Sequence, residues 1–262
     1  MSGARSGRAV AIPARAKLNL DLEVVCRRPD GMHELRTHMQ AIELHDLLIA
    51  SPADKTSLAV SGIELTTAGS NTVLMAHQAI EKAVGKLLPT SYELHKRIPP
   101  GSGLGGASSD AAAAMRALAH LHHLELDLKS IAPNVGADVS FFLRGGAALV
   151  GGIGERVVRV TSTGESWFAL AWPGIELSTA AVYEAWDQLE ASARTGSNQL
   201  RAAAALVDDK VDRFAQHLGP GWQMTGSGSA FFLRCSDRGA AEAAVGGLDS
   251  WTAVTHSVGT WE

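Results

Sequence analysis

The most informative stretch of the chain is Ile98-Pro99-Pro100-Gly101-Ser102-Gly103-Leu104-Gly105-Gly106-Ala107-Ser108-Ser109-Asp110, which runs directly into the alanine-rich segment 111–121. Four glycines fall within six residues, so backbone N–H groups can approach a ligand without a Cβ atom in the way. Ser108 or Ser109 is expected to cap the helix that the alanines predict. Because the first N–H groups and the positive dipole end of a helix attract anions, the stretch predicts a phosphate-binding site.

Two better-known glycine motifs do not fit this stretch. A P-loop requires Lys and then Ser or Thr after its last glycine, whereas Gly106 is followed by Ala107. Gly101, Gly103 and Gly106 satisfy G-x-G-x-x-G, but a dinucleotide-binding fold needs that motif directly after a buried strand. Here two prolines separate the glycines from the apolar residues 92–94. A plain flexible hinge would need neither the paired serines nor the strong helix former that follows.

Composition indicates an ordinary globular protein of one large or two smaller domains, with 262 residues, 46% hydrophobic and 19% charged. The net charge of −4, without a basic run, favours neither nucleic acid nor an anionic membrane as a partner. Cys26 and Cys235 lie far apart, which argues against zinc and against a disulfide framework. The basic segment 2–8 lacks a signal-peptide pattern, and no run approaches the roughly 20 apolar residues of a membrane span. A cytoplasmic protein is therefore expected.

Period-2 alternation predicts a half-buried strand over 18–24, with Lys17 and Asn19 on its polar face. Asn71 is expected to cap a helix. The alternation of strands and helices along the rest of the chain predicts an α+β protein with two domains, 1–152 and 153–262. The further elements that carry this prediction are a turn at 28–31, strands at 167–172 and 230–233, and helices at 179–189 and 198–207.

Several segments together resemble one enzyme superfamily. Residues 100–109 resemble the ATP loop of the GHMP kinases, which phosphorylate small alcohols and acids. Four other segments resemble a branch whose substrate carries cytidine diphosphate: Ala16-Lys17-Leu18-Asn19-Leu20, Arg28-Pro29-Asp30-Gly31-Met32-His33-Glu34-Leu35, Gly136-Ala137-Asp138-Val139-Ser140-Phe141-Phe142 and Met224-Thr225-Gly226-Ser227-Gly228. The resemblance implies a ribosomal-protein-S5-like N-terminal domain, a ferredoxin-like C-terminal domain and transfer of the ATP γ-phosphate to a hydroxyl group with Mg²⁺.

The resemblance implies two catalytic residues. Spacing alone favours a helix cap for Asp138, whereas the resemblance makes it the general base that accepts the proton of the attacking hydroxyl. Lys17 matches a lysine that holds Asp138 ionised and neutralises phosphate charge, the alternative being a solvated strand lysine. No acidic metal ligand is evident, and His120, His122 and His123 lack the partners of a metal site. Mg²⁺ is expected to be carried largely by ATP oxygens and water; Ser108 and Ser109 could cap the helix, bind phosphate oxygen or contact Mg²⁺ through a hydroxyl.

The remaining candidates divide between the nucleotide and the phosphate acceptor. The residues implied to bind ATP are Asn71, Lys96, Pro99, Gly101, Gly103, Leu104, Gly105, Gly106, Ser108 and Ser109. For Asn71 the alternative is a helix cap, and for Lys96 a solvated side chain. The implied acceptor is a small molecule in which cytidine diphosphate is joined to a sugar alcohol. The residues implied to bind it are Asn19, His33, Thr179, Tyr183, Gly226, Ser227 and Gly228.

Within the second set, His33 is implied to read the edge of the cytosine ring and Tyr183 to stack on it. Met32 stands where the family usually carries tyrosine, which removes one aromatic wall. The alternatives are another GHMP kinase, of the homoserine or mevalonate type, and a silent nucleotide-binding module. The oligomeric state is left open.

Overall fold

The structure is a computed structural model that describes residues 8–63, 71–161 and 164–261. Residues 2–7 of the basic N-terminal segment lie outside the described residues. The strands are β1 Val10–Asn19, β2 Glu23–Arg27, β3 His33–Pro52, β4 Ser57–Gly62, β5 Thr90–Lys96, β6 Ala147–Gly152, β7 Arg156–Val160, β8 Trp167–Trp172, β9 Gln223–Met224, β10 Phe231–Cys235 and β11 Trp251–His256. The α-helices are α1 Thr72–Val84, α2 Gly106–Leu121, α3 Leu128–Ile131, α4 Val139–Phe142, α5 Thr179–Gln188, α6 Arg201–Val207, α7 Lys210–Leu218 and α8 Arg238–Val245.

The chain divides into two compact units. Unit 1 consists of Met1–Arg15, His45–Ile98 and Gly106–Leu143, and unit 2 of Ala16–Leu44, Pro99–Gly105 and Arg144–Glu262. Both units combine strands with helices, so the predicted α+β class is confirmed. The predicted domain boundary after residue 152 stays a prediction. Among the described helices, none is both long and apolar enough to cross a membrane.

In unit 1, strand β5 pairs antiparallel with the end of β3 and parallel with β4, and helices α1 and α2 pack against each other. The predicted cap of α1 is confirmed, because the Asn71 side chain accepts a hydrogen bond of 2.9 Å from the Val73 N–H. The expectation that a serine caps α2 is wrong. This helix begins at Gly106, so Ser108 and Ser109 lie inside its first turn instead of preceding it.

In unit 2, strands β2 and β6 pair with the first part of β3, and β7 pairs with β6. A separate antiparallel sheet has the order β11-β8-β10-β9 and is covered by α8. A core cluster fills the space around α5, α6 and α7 and is formed by buried apolar side chains, among them Leu22, Val24, Leu177, Val182, Trp186, Leu200, Val211, Met224 and Phe231.

The predicted strand over 18–24 is interrupted in the structure. Strand β1 ends at Asn19 and β2 begins at Glu23. Between them the Leu20 N–H donates to the His38 carbonyl at 2.8 Å, and the Asp21 carboxylate accepts from the His38 N–H at 2.7 Å. These bonds hold the connecting residues against β3 in a short bend, which alternation of residue types does not reveal.

Candidate active site

Lys17 lies at the end of β1 in unit 2, and its side chain is buried, with 3% of its surface exposed. Its ammonium group donates to the side-chain oxygen of Asn19 and, at 2.6 Å, to the carbonyl oxygen of Gly103. The predicted shared face of Lys17 and Asn19 is thus confirmed, but the face is buried and not half-exposed. Burial of a cation is costly without such partners, so the alternative of a solvated lysine is wrong.

Asn19 connects Lys17 to strand β3 and to the segment that follows β9, both in unit 2. Its backbone N–H donates to Thr225 Oγ1 at 2.8 Å, and its side-chain NH₂ donates to Thr37 Oγ1 at 2.8 Å. Thr37 in turn donates to the backbone carbonyl of Asp21. Every one of these polar groups therefore has a partner, as buried polar groups require. The network fixes the position of the Lys17 ammonium group through several elements that are distant in sequence.

Residues 99–105 are here called the glycine loop. They pack against residues 224–228, the second glycine-containing segment of unit 2. Gly103 has φ +78°, and a Cβ atom there would lie 2.3 Å from the carbonyl oxygen of Thr225. A Cβ atom on Gly226 would lie 3.0 Å from Lys17 Nζ and 2.9 Å from the Gly103 carbonyl oxygen. Glycine is therefore required at both positions for close backbone approach. The predicted residues Lys17, Asn19, Gly103 and Gly226 are brought together in unit 2.

The predicted acceptor-binding residues form a second group in unit 2. The rings of His33 and Tyr183 stack, with centroids 4.8 Å apart and an interplanar angle of 18°. Trp186 meets His33 edge-on at 5.4 Å, and His33 Nε2 lies 2.8 Å from Asp187 Oδ1. Met32, which stands at the usual tyrosine position, is exposed. The sequence predicts that Tyr183 stacks on the cytosine ring of the ligand. It does not predict that Tyr183 also stacks on His33.

Thr179, at the start of α5, lies close to the second glycine-containing segment. Its hydroxyl oxygen is 3.0 Å from the hydroxyl oxygen of Ser227. The side chain of Asn198 donates to the carbonyl oxygens of Met224 and Gly226 at 2.8 and 2.9 Å, which fixes this segment from the opposite end. Nothing in the sequence marks Asn198 as part of the arrangement, because its partners lie 26 and 28 residues away.

In unit 1, three segments that contain or adjoin predicted site residues lie next to the first turn of α2. The Thr72 hydroxyl, next to Asn71, donates to the Ala107 carbonyl at 2.8 Å. A Cβ atom on Gly106 would lie 3.3 Å from Lys96 Nζ, and one on Gly136 would lie 3.7 Å from the Ser108 hydroxyl. The start of α1, the end of β5 and the segment before α4 therefore converge on the helix end that is expected to attract phosphate.

Asp138 occupies the N-cap position of α4, yet within the described residues its side chain makes no capping hydrogen bond to that helix. The alternative prediction of a side-chain cap is therefore wrong in its chemistry, although the position is the one expected. The role of Asp138 as a base stays a prediction.

Lys96 lies in a buried cluster of three ionisable residues in unit 1. Its ammonium group donates to the carboxylates of Asp46 and, at 2.6 Å, Asp110, which are 0% and 4% exposed. Asp46 also accepts hydrogen bonds from the backbone N–H groups of Arg97 and Ile98. The cluster therefore links β3, the end of β5 and α2. The alternative of a solvated Lys96 is wrong, and its predicted contact with ATP stays a prediction.

The protonation of this cluster follows from its burial. Burial raises the pKa of Asp110 to about 8, opposed by the attraction of Lys96 and assisted by the charge of Asp46. Burial lowers the pKa of Lys96, but the attraction of Asp110 and Asp46 outweighs this effect, so the pKa lies above its ordinary value. Lys96 thus remains charged and lies against the charge of Asp46, while a pKa of about 8 leaves Asp110 largely neutral at pH 7. Such a lysine is better suited to holding α2 in place than to neutralising phosphate.

Comparison with known proteins places the chain in an enzyme family. The family described as GHMP kinases N terminal domain matches residues 71–146. A 4-diphosphocytidyl-2-C-methyl-D-erythritol kinase from Carboxydothermus hydrogenoformans is 40% identical over 173 residues, which are 65% of this chain and 60% of that protein. A protein of the same name from Shewanella sp. strain MR-7 is 36% identical over 256 residues, covering 91% of this chain and 89% of that protein.

A solved structure agrees with these relatives. The crystal structure of a 4-(cytidine 5'-diphospho)-2C-methyl-D-erythritol kinase superposes with a TM-score of 0.78 at 31% identity, covering 95% of this chain and all of that one. The chain therefore belongs to the GHMP kinases, and within them to the family of the 4-diphosphocytidyl-2-C-methyl-D-erythritol kinases. The resemblance identified from sequence is confirmed. Membership of a kinase family implies ATP as the phosphate donor.

A substitution of Lys96 tests whether this residue stabilises the fold, as its buried ion pairs indicate, or binds the nucleotide. Lys96→Met keeps the apolar stem but leaves Asp46 and Asp110 without their cation. Removal of one partner from a buried ion pair costs about 3–5 kcal/mol, so the free energy of unfolding in urea should fall by that amount.

The matched control is Arg97→Met, which removes a cation from the next residue while its backbone N–H still donates to Asp46. Arg97 is exposed, so its substitution should change the free energy of unfolding by no more than about 0.5 kcal/mol. Equal, small effects in the two variants would contradict a structural role for Lys96.

Proposed function

We propose that the protein is an ATP-dependent kinase that phosphorylates the 2-hydroxyl group of 4-diphosphocytidyl-2-C-methyl-D-erythritol, a step of the non-mevalonate route to isoprenoid precursors. The observation that carries the phosphoryl-transfer part is the buried Lys17 ammonium group, held at the glycine loop by Asn19 and the Gly103 carbonyl. The identity of the acceptor rests on the relatives that share most of the length of the chain.

Phosphoryl transfer needs positioning and charge neutralisation more than covalent participation of the protein. In the proposed reaction the acceptor 2-oxygen forms a bond to the γ-phosphorus as the bond to the bridging oxygen of ADP breaks. The hydroxyl proton passes to the Asp138 carboxylate. Lys17 contributes positive charge to the transferring phosphoryl group, and Asn19 and the Gly103 carbonyl hold its ammonium group in place.

Mg²⁺ enters the proposal with ATP. Among the described residues, no group of three or more His, Cys, Asp or Glu side chains could hold a metal ion. The available donor set fits an ion that is carried mainly by phosphate oxygens and water, with the Ser108 or Ser109 hydroxyl as the protein contact. When bound, the ion would neutralise charge on the β- and γ-phosphate oxygens.

The acceptor is tested with a panel. ADP release should require 4-diphosphocytidyl-2-C-methylerythritol and should not be supported by homoserine or mevalonate. The uridine analogue should be used at least about 100-fold less efficiently by kcat/KM, because uracil reverses the donor and acceptor of cytosine at positions 4 and 3. Phosphorus NMR of the product identifies the phosphorylated hydroxyl. Activity with homoserine or mevalonate alone would favour a kinase of that type. ATP binding without phosphorylation of any acceptor would favour the silent nucleotide-binding module.

The base is tested by Asp138→Asn. Loss of a general base should lower kcat by about 10²–10⁴-fold, with ATP affinity little changed. Asp127→Asn is a matched control, since Asp127 is an N-cap residue in the same unit and its side chain does accept a capping bond from the Lys129 N–H. A kcat for Asp138→Asn that equals that of the control variant would remove Asp138 from the chemistry.

A further inference from the structure

His33 is held on several sides by side chains of unit 2. Tyr183 and Asp187 are four residues apart on α5, so both lie on one face of that helix. Tyr183 stacks on the imidazole ring, Asp187 Oδ1 lies 2.8 Å from Nε2, and Trp186 meets the ring edge-on. The His33 side chain is only 8% exposed. The ring is therefore fixed in orientation before any ligand binds.

Asp187 is itself fixed by further contacts. Its second carboxylate oxygen lies 3.3 Å from Arg27 Nη1, and its backbone carbonyl accepts from Arg194 Nη2 at 3.5 Å. The Arg194 guanidinium also lies over the Trp186 ring, 3.9 Å from its centroid. Arg27 lies opposite His33 in the antiparallel pair of β2 and β3. One oxygen of Asp187 thus lies at the His33 ring, and the other lies at the largely exposed Arg27 guanidinium.

The bond between Asp187 and His33 fixes where the imidazole proton lies. An ionised carboxylate can only accept hydrogen bonds, so Nε2 must be the nitrogen that donates. In a neutral imidazole the other nitrogen, Nδ1, then carries a lone pair and acts as an acceptor. Because Nε2 of the neutral ring already donates to Asp187, a hydrogen bond between the ring and a ligand must form at Nδ1, with the ligand as the donor.

We infer that Asp187 is a positioning residue that determines which pyrimidine the kinase accepts, by keeping His33 Nδ1 an acceptor. The inference rests on the proposed function. The only N–H donor on the pairing edge of cytosine is its 4-amino group, which can donate to Nδ1. Uracil in the same pose presents O4, and two acceptors then face each other without a proton. A site that leaves a buried polar group unpaired rejects such an analogue strongly.

The test combines substrate preference with a direct view of the ring. In Asp187→Asn the side chain offers an NH₂ group as well as an oxygen, so both tautomers of His33 become possible. The ratio of kcat/KM for the cytidine and uridine substrates should fall at least about tenfold, through a higher KM for the cytidine substrate and little change in kcat. Nitrogen-15 NMR should show His33 Nδ1 unprotonated in the parent and partly protonated in the variant.

The matched control is Glu184→Gln, which removes a carboxylate from the same helix at an exposed position. Its substrate preference and its His33 spectrum should match those of the parent. An unchanged ratio in a folded Asp187→Asn protein, or a parent spectrum with the proton on Nδ1, would overturn the inference. A parent that phosphorylates neither pyrimidine substrate would instead refute the proposed function, and the nitrogen spectra would still decide whether Asp187 fixes the tautomer.

Discussion

The ammonium group of Lys17 is buried at the end of β1, and a buried cation requires polar partners at short range. Asn19 and the Gly103 carbonyl supply them, and Asn19 also bonds to Thr225 and Thr37. Loss of any one of these partners would leave a buried polar group unsatisfied, at a cost of about 1–3 kcal/mol. The Lys17 ammonium group is therefore one of the contacts that hold the glycine loop within unit 2, together with backbone hydrogen bonds such as that from the Ala230 N–H to the Ser102 carbonyl at 2.9 Å.

Lys17 and Lys96, the two lysines that are buried among the described residues, have different contacts. Lys96 lies between Asp46 and Asp110, and its charge is compensated within unit 1. Lys17 donates to the side-chain oxygen of Asn19 and to the Gly103 carbonyl, and these two bonds orient its ammonium group. An oriented cation in a region of low dielectric interacts strongly with developing phosphate charge, because little reorganisation is needed at the moment of reaction. The same residue type thus stabilises the fold in one unit and, in the proposed mechanism, acts on the phosphoryl group from the other.

Sequence patterns predict the local features of this protein well. The cap at Asn71, the helix after the glycines and the strand over 167–172 depend on residues close in sequence, and the structure has all three. The resemblance also identified Lys17 and Asn19, whose side chains are in contact. Patterns of alternation failed at residues 20–22, because the bend there is set by hydrogen bonds to His38 and not by the residues themselves.

The partners that complete each site could not be predicted. Asp46 lies 50 residues from Lys96, and Asp187 lies 154 residues from His33. No periodicity or local motif connects residues at such separations, and a single carboxylate in a sequence is most often a solvated surface group. Their roles become visible only when the fold brings β3 against β5, or α5 against the start of β3.

The central claim is that the oriented charge of Lys17 acts on the phosphoryl group in the chemical step. Rapid-quench measurement of a single turnover in Lys17→Met, with ATP and the cytidine substrate both saturating, tests it most directly. Removal of one preorganised cation should slow phosphoryl transfer by at least about 100-fold in a protein whose melting curve remains cooperative. A folded Lys17→Met protein that transfers phosphate within a few-fold of the parent rate would contradict the account.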